Sequence, residues 1–297
     1  MNASGWRSFI VSGQDKLTLR DGNLIMENDT SELVTPIQDI REVMILSEQC
    51  IVSVALLNAL AENNVSVVMC NRKRMPSCEV TPLNMHSSSS GNLFEQIAWE
   101  QQKKDAAWKH IVTNKITNQR EALKQLNIIV PLRMRDYLLK VENGDPSNRE
   151  GQAARLYFDS LFGKDFTRGA SDELNACLNY GYSIILSATA RAVSMYGYNN
   201  AIGVHHCGQG NPYNLACDIM EPFRPFVDML VYKRRGLPLD WTLKKEFIAL
   251  PYTECLMNGK RMRLYTAIDR YVLSLVKYMK RESGLIGEVS LWRTGAE

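Results

Sequence analysis

Apolar residues change their spacing once along this chain, and that change limits the folds open to it more than any other feature. Up to about residue 85 they come in short β-type runs: Arg7 to Ser12, Lys16 to Leu19, Asn23 to Met26, Glu32 to Thr35 and Arg41 to Leu46. Arg20-Asp21-Gly22-Asn23 lies between two runs and reads as a hairpin loop, because Gly and Asn tolerate the positive φ of a tight turn. One helix interrupts the strands. Ser53 to Asn63 sets Leu56, Leu57 and Leu60 on one side, and Val65 to Cys70 follows as a buried strand.

From Leu93 to Lys124 the period turns helical, with Ile97, Trp108, Ile111, Val112, Ile116 and Leu123 among charged residues. Further helices are expected at Arg149 to Phe162, Asn175 to Tyr196, Pro222 to Arg235 and Met262 to Glu282. Gly163 and Gly197 follow two of them as stops, and Lys233, Arg234 and Arg235 put positive charge at the negative end of a third. Between the two regimes Pro82 to Asn92, with Ser87-Ser88-Ser89-Ser90-Gly91, has little to bury and reads as a linker. The expected organisation is α+β: a compact β domain with one crossover helix over 1–84, a linker over 85–92, and a helical domain over 93–297.

Composition agrees with two ordinary domains. The 297 residues exceed a usual domain of about 100 to 200, and 45% apolar with 23% charged residues excludes wholesale disorder. Cys50, Cys70, Cys78, Cys177, Cys207, Cys217 and Cys255 form no CxxC pair, which fits a reducing cytoplasm. The N-terminus lacks a signal peptide's apolar run, and no stretch approaches the ~20 apolar residues of a membrane span. Net charge is +3, but Val231 to Arg281 holds 12 basic and 4 acidic residues, so the other 246 residues sum to −5. Within that segment Lys233, Arg234, Arg235, Lys244, Lys245, Lys260, Arg261 and Arg263 are candidate contacts to a phosphate backbone. A solvated helical surface is the plainer reading.

Three segments combine metal-capable residues with small or apolar neighbours. In Asp145-Pro146-Ser147-Asn148-Arg149-Glu150-Gly151-Gln152-Ala153-Ala154-Arg155, Pro146 with Ser147 and Asn148 starts a helix, which places Glu150 in the first turn and offers the alanines for close packing. A first-turn carboxylate also suits the helix dipole with no further role. In Gly203-Val204-His205-His206 two of four histidines are adjacent; neighbouring side chains diverge, so the pair is not expected to share one metal. In Asn214 to Pro225, Asp218 and Glu221 stand three apart, which a helical turn would bring to one side. Pro222 disfavours the α region for Glu221, so a break there with a new helix from Pro222 is the other geometry, and an acidic N-terminal cap the structural alternative. Two carboxylates and an imidazole suit manganese or magnesium, whereas Cys207 and Cys217 lack the paired spacing of a zinc site.

Together these segments resemble the universal CRISPR adaptation integrase family, most closely its type II form. The likeness runs from Trp6 to about Arg281 and includes Gly5-Trp6-Arg7, Asp145 to Arg155, Asn175-Ala176-Cys177-Leu178-Asn179-Tyr180-Gly181-Tyr182, and a histidine followed twelve residues later by Asp218-Ile219-Met220-Glu221-Pro222-Phe223-Arg224-Pro225. The resemblance implies an N-terminal β-sandwich-like domain, an all-α catalytic domain and a homodimer. It implies a metal held by Glu150, His206 and Glu221, with Asp218 as a nearby supporting acid; the spacing to Asp218 selects His206 over His205. The implied partners are duplex prespacer DNA, CRISPR repeat DNA and the small second adaptation protein, whose dimer bridges two integrase dimers. A type II accessory ring protein and the effector nuclease join them. The expected reaction is attack of a prespacer 3′-hydroxyl on a phosphodiester at the repeat boundary. Two rival functions use the same residues: a metal-dependent nuclease of branched DNA, and a DNA-binding scaffold without chemistry of its own.

Overall fold

The computed structural model describes residues 7–72, 76–80 and 89–292, in two compact units, residues 1–89 and 90–297. The first unit runs β1 (Arg7–Val11), β2 (Lys16–Arg20), β3 (Asn23–Asn28), β4 (Ser31–Pro36), β5 (Ile40–Ile45), β6 (Ile51–Val52), α1 (Val54–Glu62), β7 (Ser66–Cys70) and β8 (Pro76–Val80). Two four-stranded sheets result, β1-β5-β7-β8 and β4-β3-β2-β6. The hairpin falls where Gly and Asp invite it: Asp21 and Gly22 take φ of 50° and 73°, and Arg20 pairs with Asn23 across the turn. β5 and β7 are parallel, so the chain must cross over between them, and α1 makes that crossover. Ser53 caps α1 by accepting the Leu56 N–H.

Val11, Val43 and Val67 of one sheet, Leu17 and Leu24 of the other, and Leu56 and Leu60 of α1 meet in one core. This is the sandwich-like unit the resemblance implied. Burial of each such side chain contributes about 1.5–3 kcal/mol.

The second unit begins with α2 (Ser89–Ile97) and α3 (Gln101–Gln125). Met85 to Ser88 of the expected linker lie outside the described residues, and Ser89 to Asn92 are helical rather than linker. A tertiary contact holds this start of α2 despite the serine-rich composition: Asn92 donates to the Tyr196 carbonyl at 3.1 Å. The single helical stretch expected from Leu93 to Lys124 is broken at residues 98–100. Gln96 ties the end of α2 to the Asn199 and Ile202 carbonyls at 2.8 and 2.7 Å, and Glu100 is extended before α3 starts.

The chain continues as α4 (Leu132–Leu139), α5 (Arg149–Phe162), α6 (Glu173–Met195), α7 (Asn214–Met220), a 3-10 turn (Glu221–Phe223), α8 (Arg224–Lys233) and α9 (Trp241–Ala249). Then follow β9 (Glu254–Met257), β10 (Lys260–Arg263), α10 (Leu264–Met279) and β11 (Val289–Leu291). The last three strands form a sheet of order β10-β9-β11, so this unit is mainly helical but not all-α. Asn258 and Gly259, with φ of 51° and 73°, turn β9 into β10. Met262 and Arg263 therefore belong to a strand, and the helix expected from Met262 starts at Leu264. β11 is also tied to a helix: Asn114 of α3 exchanges hydrogen bonds with the Val289 backbone at 2.7 and 3.0 Å.

Candidate functional site

Four pieces of the second unit build the site, beginning with the buried face of α3. Trp108, Ile111, Val112, Lys115, Asn118, Gln119 and Ala122 lie along it, so a lysine and two amides sit within an apolar stripe. Lys115 Nζ donates to Glu150 Oε1 and to Glu221 Oε2, both at 2.5 Å. Burial disfavours its charge, yet the Glu221 and Glu150 carboxylates hold its pKa above the ordinary lysine value.

Glu150 is delivered by the start of α5, as its flanking residues led one to expect. Asn148, at φ 50°, is the N-cap and accepts the Gly151 N–H at 3.0 Å. Asp145, buried and at φ 49°, accepts the Arg149 and Glu150 N–H groups at 2.8 and 2.9 Å. Two side chains thus satisfy the open donors of the first turn and fix the direction from which Glu150 leaves the helix. Ala153 one turn on is fully buried.

Glu221 does not sit at a break. Its φ of −53° and ψ of −45° are right-handed helical despite the following proline, so α7, the 3-10 turn and α8 form one continuous path. Pro222 occupies a first-turn position, where a missing N–H is tolerated, and Asn118 of α3 clamps its carbonyl at 2.8 Å. The Glu221 side chain is 4% exposed, and Arg224 Nε donates to its Oε1 at 2.9 Å. Burial opposes its charge, but Arg224, Lys115 and His206 together keep its pKa below the usual carboxylate value.

Asp218, fully buried on α7, takes hold of the histidine loop. It accepts the backbone N–H groups of Val204, His205 and His206 at 2.7, 3.0 and 3.1 Å, and His206 Nδ1 at 2.5 Å. Gly203 makes this approach possible, because a Cβ there would meet the His206 carbonyl at 2.4 Å and Asp218 Oδ2 at 2.7 Å. The bond to Asp218 raises the His206 pKa, against burial, and the charges of Asp218, Glu221 and Glu150 add to the rise. The adjacent rings diverge as neighbouring side chains should: His205 stacks on Trp108 at 4.0 Å, while His206 stands nearly perpendicular to both rings. Asp218 and Glu221 consequently do different work, one holding the loop and the other facing the cations.

Glu150 and Glu221 thus meet on one ammonium, and the charges of both add to the rise in the His206 pKa. Among the described residues no group of three His, Cys, Asp or Glu side chains is placed to share an ion as it stands, and Lys115 lies between Glu150 and Glu221. The donor chemistry nonetheless fits a hard divalent cation. Two carboxylates already stabilise a positive charge between them, and a histidine whose Nδ1–H is given to a carboxylate keeps Nε2 as its basic nitrogen.

Lys115, Arg224, Asp145 and Gly203 had no place among the expected site residues. Lys115 left a trace, standing seven residues after Trp108 and four after Ile111, inside the apolar stripe. Behind Arg224, Tyr182 donates to Asp228 Oδ1 at 2.5 Å, with its ring 4.6 Å from the Arg224 guanidinium. Burial pushes the Asp228 pKa up to about 7 against that hydrogen bond.

The basic candidates lie apart from this cluster in sequence. Lys233 ends α8 with Arg234 and Arg235 beyond it, Lys244 and Lys245 lie on α9, and Lys260, Arg261 and Arg263 on β10. Several are locally engaged: Arg234 with Glu246 at 2.8 Å, Arg261 with Glu254 at 2.5 Å, and Arg235 over the Tyr232 ring at 3.9 Å. No helix among the described residues is long and apolar enough to cross a membrane.

A two-sheet unit followed by a mainly helical unit, in which a buried carboxylate and ammonium meet a part-buried carboxylate near a half-exposed imidazole, defines an α+β protein with a cation-centred site. The sequence matches the family described as CRISPR associated protein Cas1 over residues 9–267, and the chain belongs to that family. The CRISPR-associated endonuclease Cas1 of Neisseria meningitidis serogroup C is 32% identical over 275 residues, 91% of this chain and 90% of that protein. The fold is similar to that of a casposase bound to integration product, with a TM-score of 0.75 and 18% identity over 95% of this chain and 92% of that one. It is also similar to a Cas1 protein from Thermotoga maritima, with TM-score 0.70 and 17% identity over 92% and 97%. A chain of a Cas6-RT-Cas1–Cas2 complex aligns with 98% of this chain and 36% of its own length, at TM-score 0.71 and 18% identity.

Proposed function

We propose that this chain is the integrase of CRISPR spacer acquisition, inserting captured duplex DNA into a repeat array by transesterification. The observation that carries the reading is the meeting of Glu150 and Glu221 on one cation beside a histidine oriented by Asp218, in a chain of the Cas1 family. Likeness of fold to a casposase bound to integration product supports it. Glu150, Glu221 and His206 Nε2 would hold one manganese or magnesium ion. When bound, that ion would supply charge neutralisation at the reacting phosphate and a lowered pKa for the attacking hydroxyl.

The protein's own groups do the positioning. Asp218 holds the Nδ1 proton of His206 and so sets its tautomer. Arg224 and Asn118 fix Glu221, and Asp145 fixes Glu150. A prespacer 3′-hydroxyl loses its proton and forms the new bond to the phosphorus at the repeat's 5′ end, as the 3′-oxygen of the adjoining flank leaves and takes up a proton; one phosphodiester replaces another, so no external energy source is required. Lys233, Arg234, Arg235, Lys244, Lys245, Lys260, Arg261 and Arg263 would hold backbone phosphates, contacts that position DNA without reading its sequence. The expected assembly is a homodimer working with the small partner Cas2 in two dimers bridged by a third.

Glu150→Ala and His206→Ala should abolish joining of a labelled prespacer to a repeat-containing plasmid while duplex binding stays near wild type. Full joining by either purified variant would refute the assignment. A second reading, hydrolysis of branched DNA, draws support from the endonuclease name of the 32% identical relative. Products separate the two: joined branched strands mark integration, and cut fragments alone, with Cas2 present, mark hydrolysis.

A further inference from the structure

Both oxygens of the Glu221 carboxylate are taken by cations, Oε1 by Arg224 Nε at 2.9 Å and Oε2 by Lys115 Nζ at 2.5 Å. The same ammonium holds Glu150 Oε1 at 2.5 Å, and the Lys115 side chain is only 9% exposed. A divalent ion bonds carboxylate oxygens at about 2.0–2.6 Å, the space the ammonium now fills. A divalent ion on those oxygens would stand beside the ammonium in a site screened from water, where the two positive charges repel strongly.

We propose that Lys115 is a built-in counter-ion which occupies the gap between Glu150 and Glu221 in the metal-free protein and is displaced, still as an ammonium, when a divalent ion binds. This rests on the metal-site reading given above. Lysine suits such a role because it carries a compact charge on a flexible four-carbon stem that can swing away, whereas an arginine fork would be locked by paired hydrogen bonds. Without metal, Lys115 keeps the buried Glu221 carboxylate and the part-buried Glu150 carboxylate from repelling each other. With metal present, it is a competitor that weakens affinity.

Wild type and Lys115→Met are compared by titration calorimetry with Mn2+ and by thermal unfolding with and without the ion. Metal-free Lys115→Met should unfold on the order of 10 °C below wild type, because removing one partner strands buried charge. It should bind Mn2+ about 10-fold or more tightly than wild type, and saturating Mn2+ should raise its Tm by more than it raises that of wild type. Affinity equal to or weaker than wild type overturns the exchange and leaves the metal site standing. If neither protein binds Mn2+ any better than Glu221→Gln does, the metal-site reading falls and the exchange with it.

Wild type gives a second measurement should Lys115→Met not fold without metal. With lysine ε-carbons isotopically labelled and the Lys115 signal assigned by its loss in Lys115→Arg, that signal should move with added Mg2+ along the metal-binding curve. A stationary signal while Mg2+ binds overturns the proposal.

Discussion

At the scale of single residues, the site depends on side chains that accept more hydrogen bonds than their size suggests. Asp218 receives three backbone donors and one imidazole, so it is a positioning residue that acts through His206. Asp218→Asn removes the charge that raises the His206 pKa and turns part of an acceptor set into donors. In wild type His206 should therefore protonate at a higher pH than in Asp218→Asn, with the variant's value moving down towards the ordinary histidine range. Histidine titration by NMR checks the sign, and joining should fall by about 10- to 100-fold; an unchanged His206 titration would remove Asp218 from this role. The sequence carried Glu150, His206, Asp218 and Glu221 visibly, since acids and histidines beside Gly and Pro stand out. Lys115 did not stand out, because a lysine in a helix is ordinary until its neighbours on the buried face are known.

Among the elements, helix ends decide where the acids point. The first turn of α5 has its open N–H groups answered by Asn148 and by Asp145, the latter taking two of them. Asp145→Ala should lower stability by about 1–2 kcal/mol in urea unfolding and reduce joining as Glu150 loses its direction. Stability within a few tenths of wild type would mean that the cap does little. The β1 to β5 runs, the Asp21-Gly22 turn and the α1 and α5 limits were legible because period and turn chemistry are local properties. Two places show where local signals compete. Asn258-Gly259 is a hairpin signal that the helix expected from Met262 did not take into account, and of the two geometries open at Pro222 the continuous one holds, with Asn118 clamping the Pro222 carbonyl.

For the second unit as a whole, the helices behind the site are tied by a buried polar pair, Tyr182 of α6 and Asp228 of α8. Asp228 holds its proton up to about pH 7 in the folded protein but only to about 3.8 when unfolded. Between those values the unfolded chain binds fewer protons, so this group's contribution to stability is full below 3.8 and is lost as pH rises to about 7. Asp228→Asn lacks that loss, and its stability relative to wild type should climb by a few kcal/mol between about pH 4 and 7 in denaturant unfolding. A constant difference across that range would contradict the buried, proton-retaining carboxyl. What the sequence determined by itself was everything set by near neighbours: strand and helix periods, turn and cap residues, and which side chains could carry metal or proton chemistry. Only the tertiary structure decided that Glu150, Glu221 and Lys115, far apart along the chain, share one charge-balanced gap. Burial is a property of the packed unit, and whether a carboxylate needs a counter-ion depends on how much water the rest of the fold takes away from it.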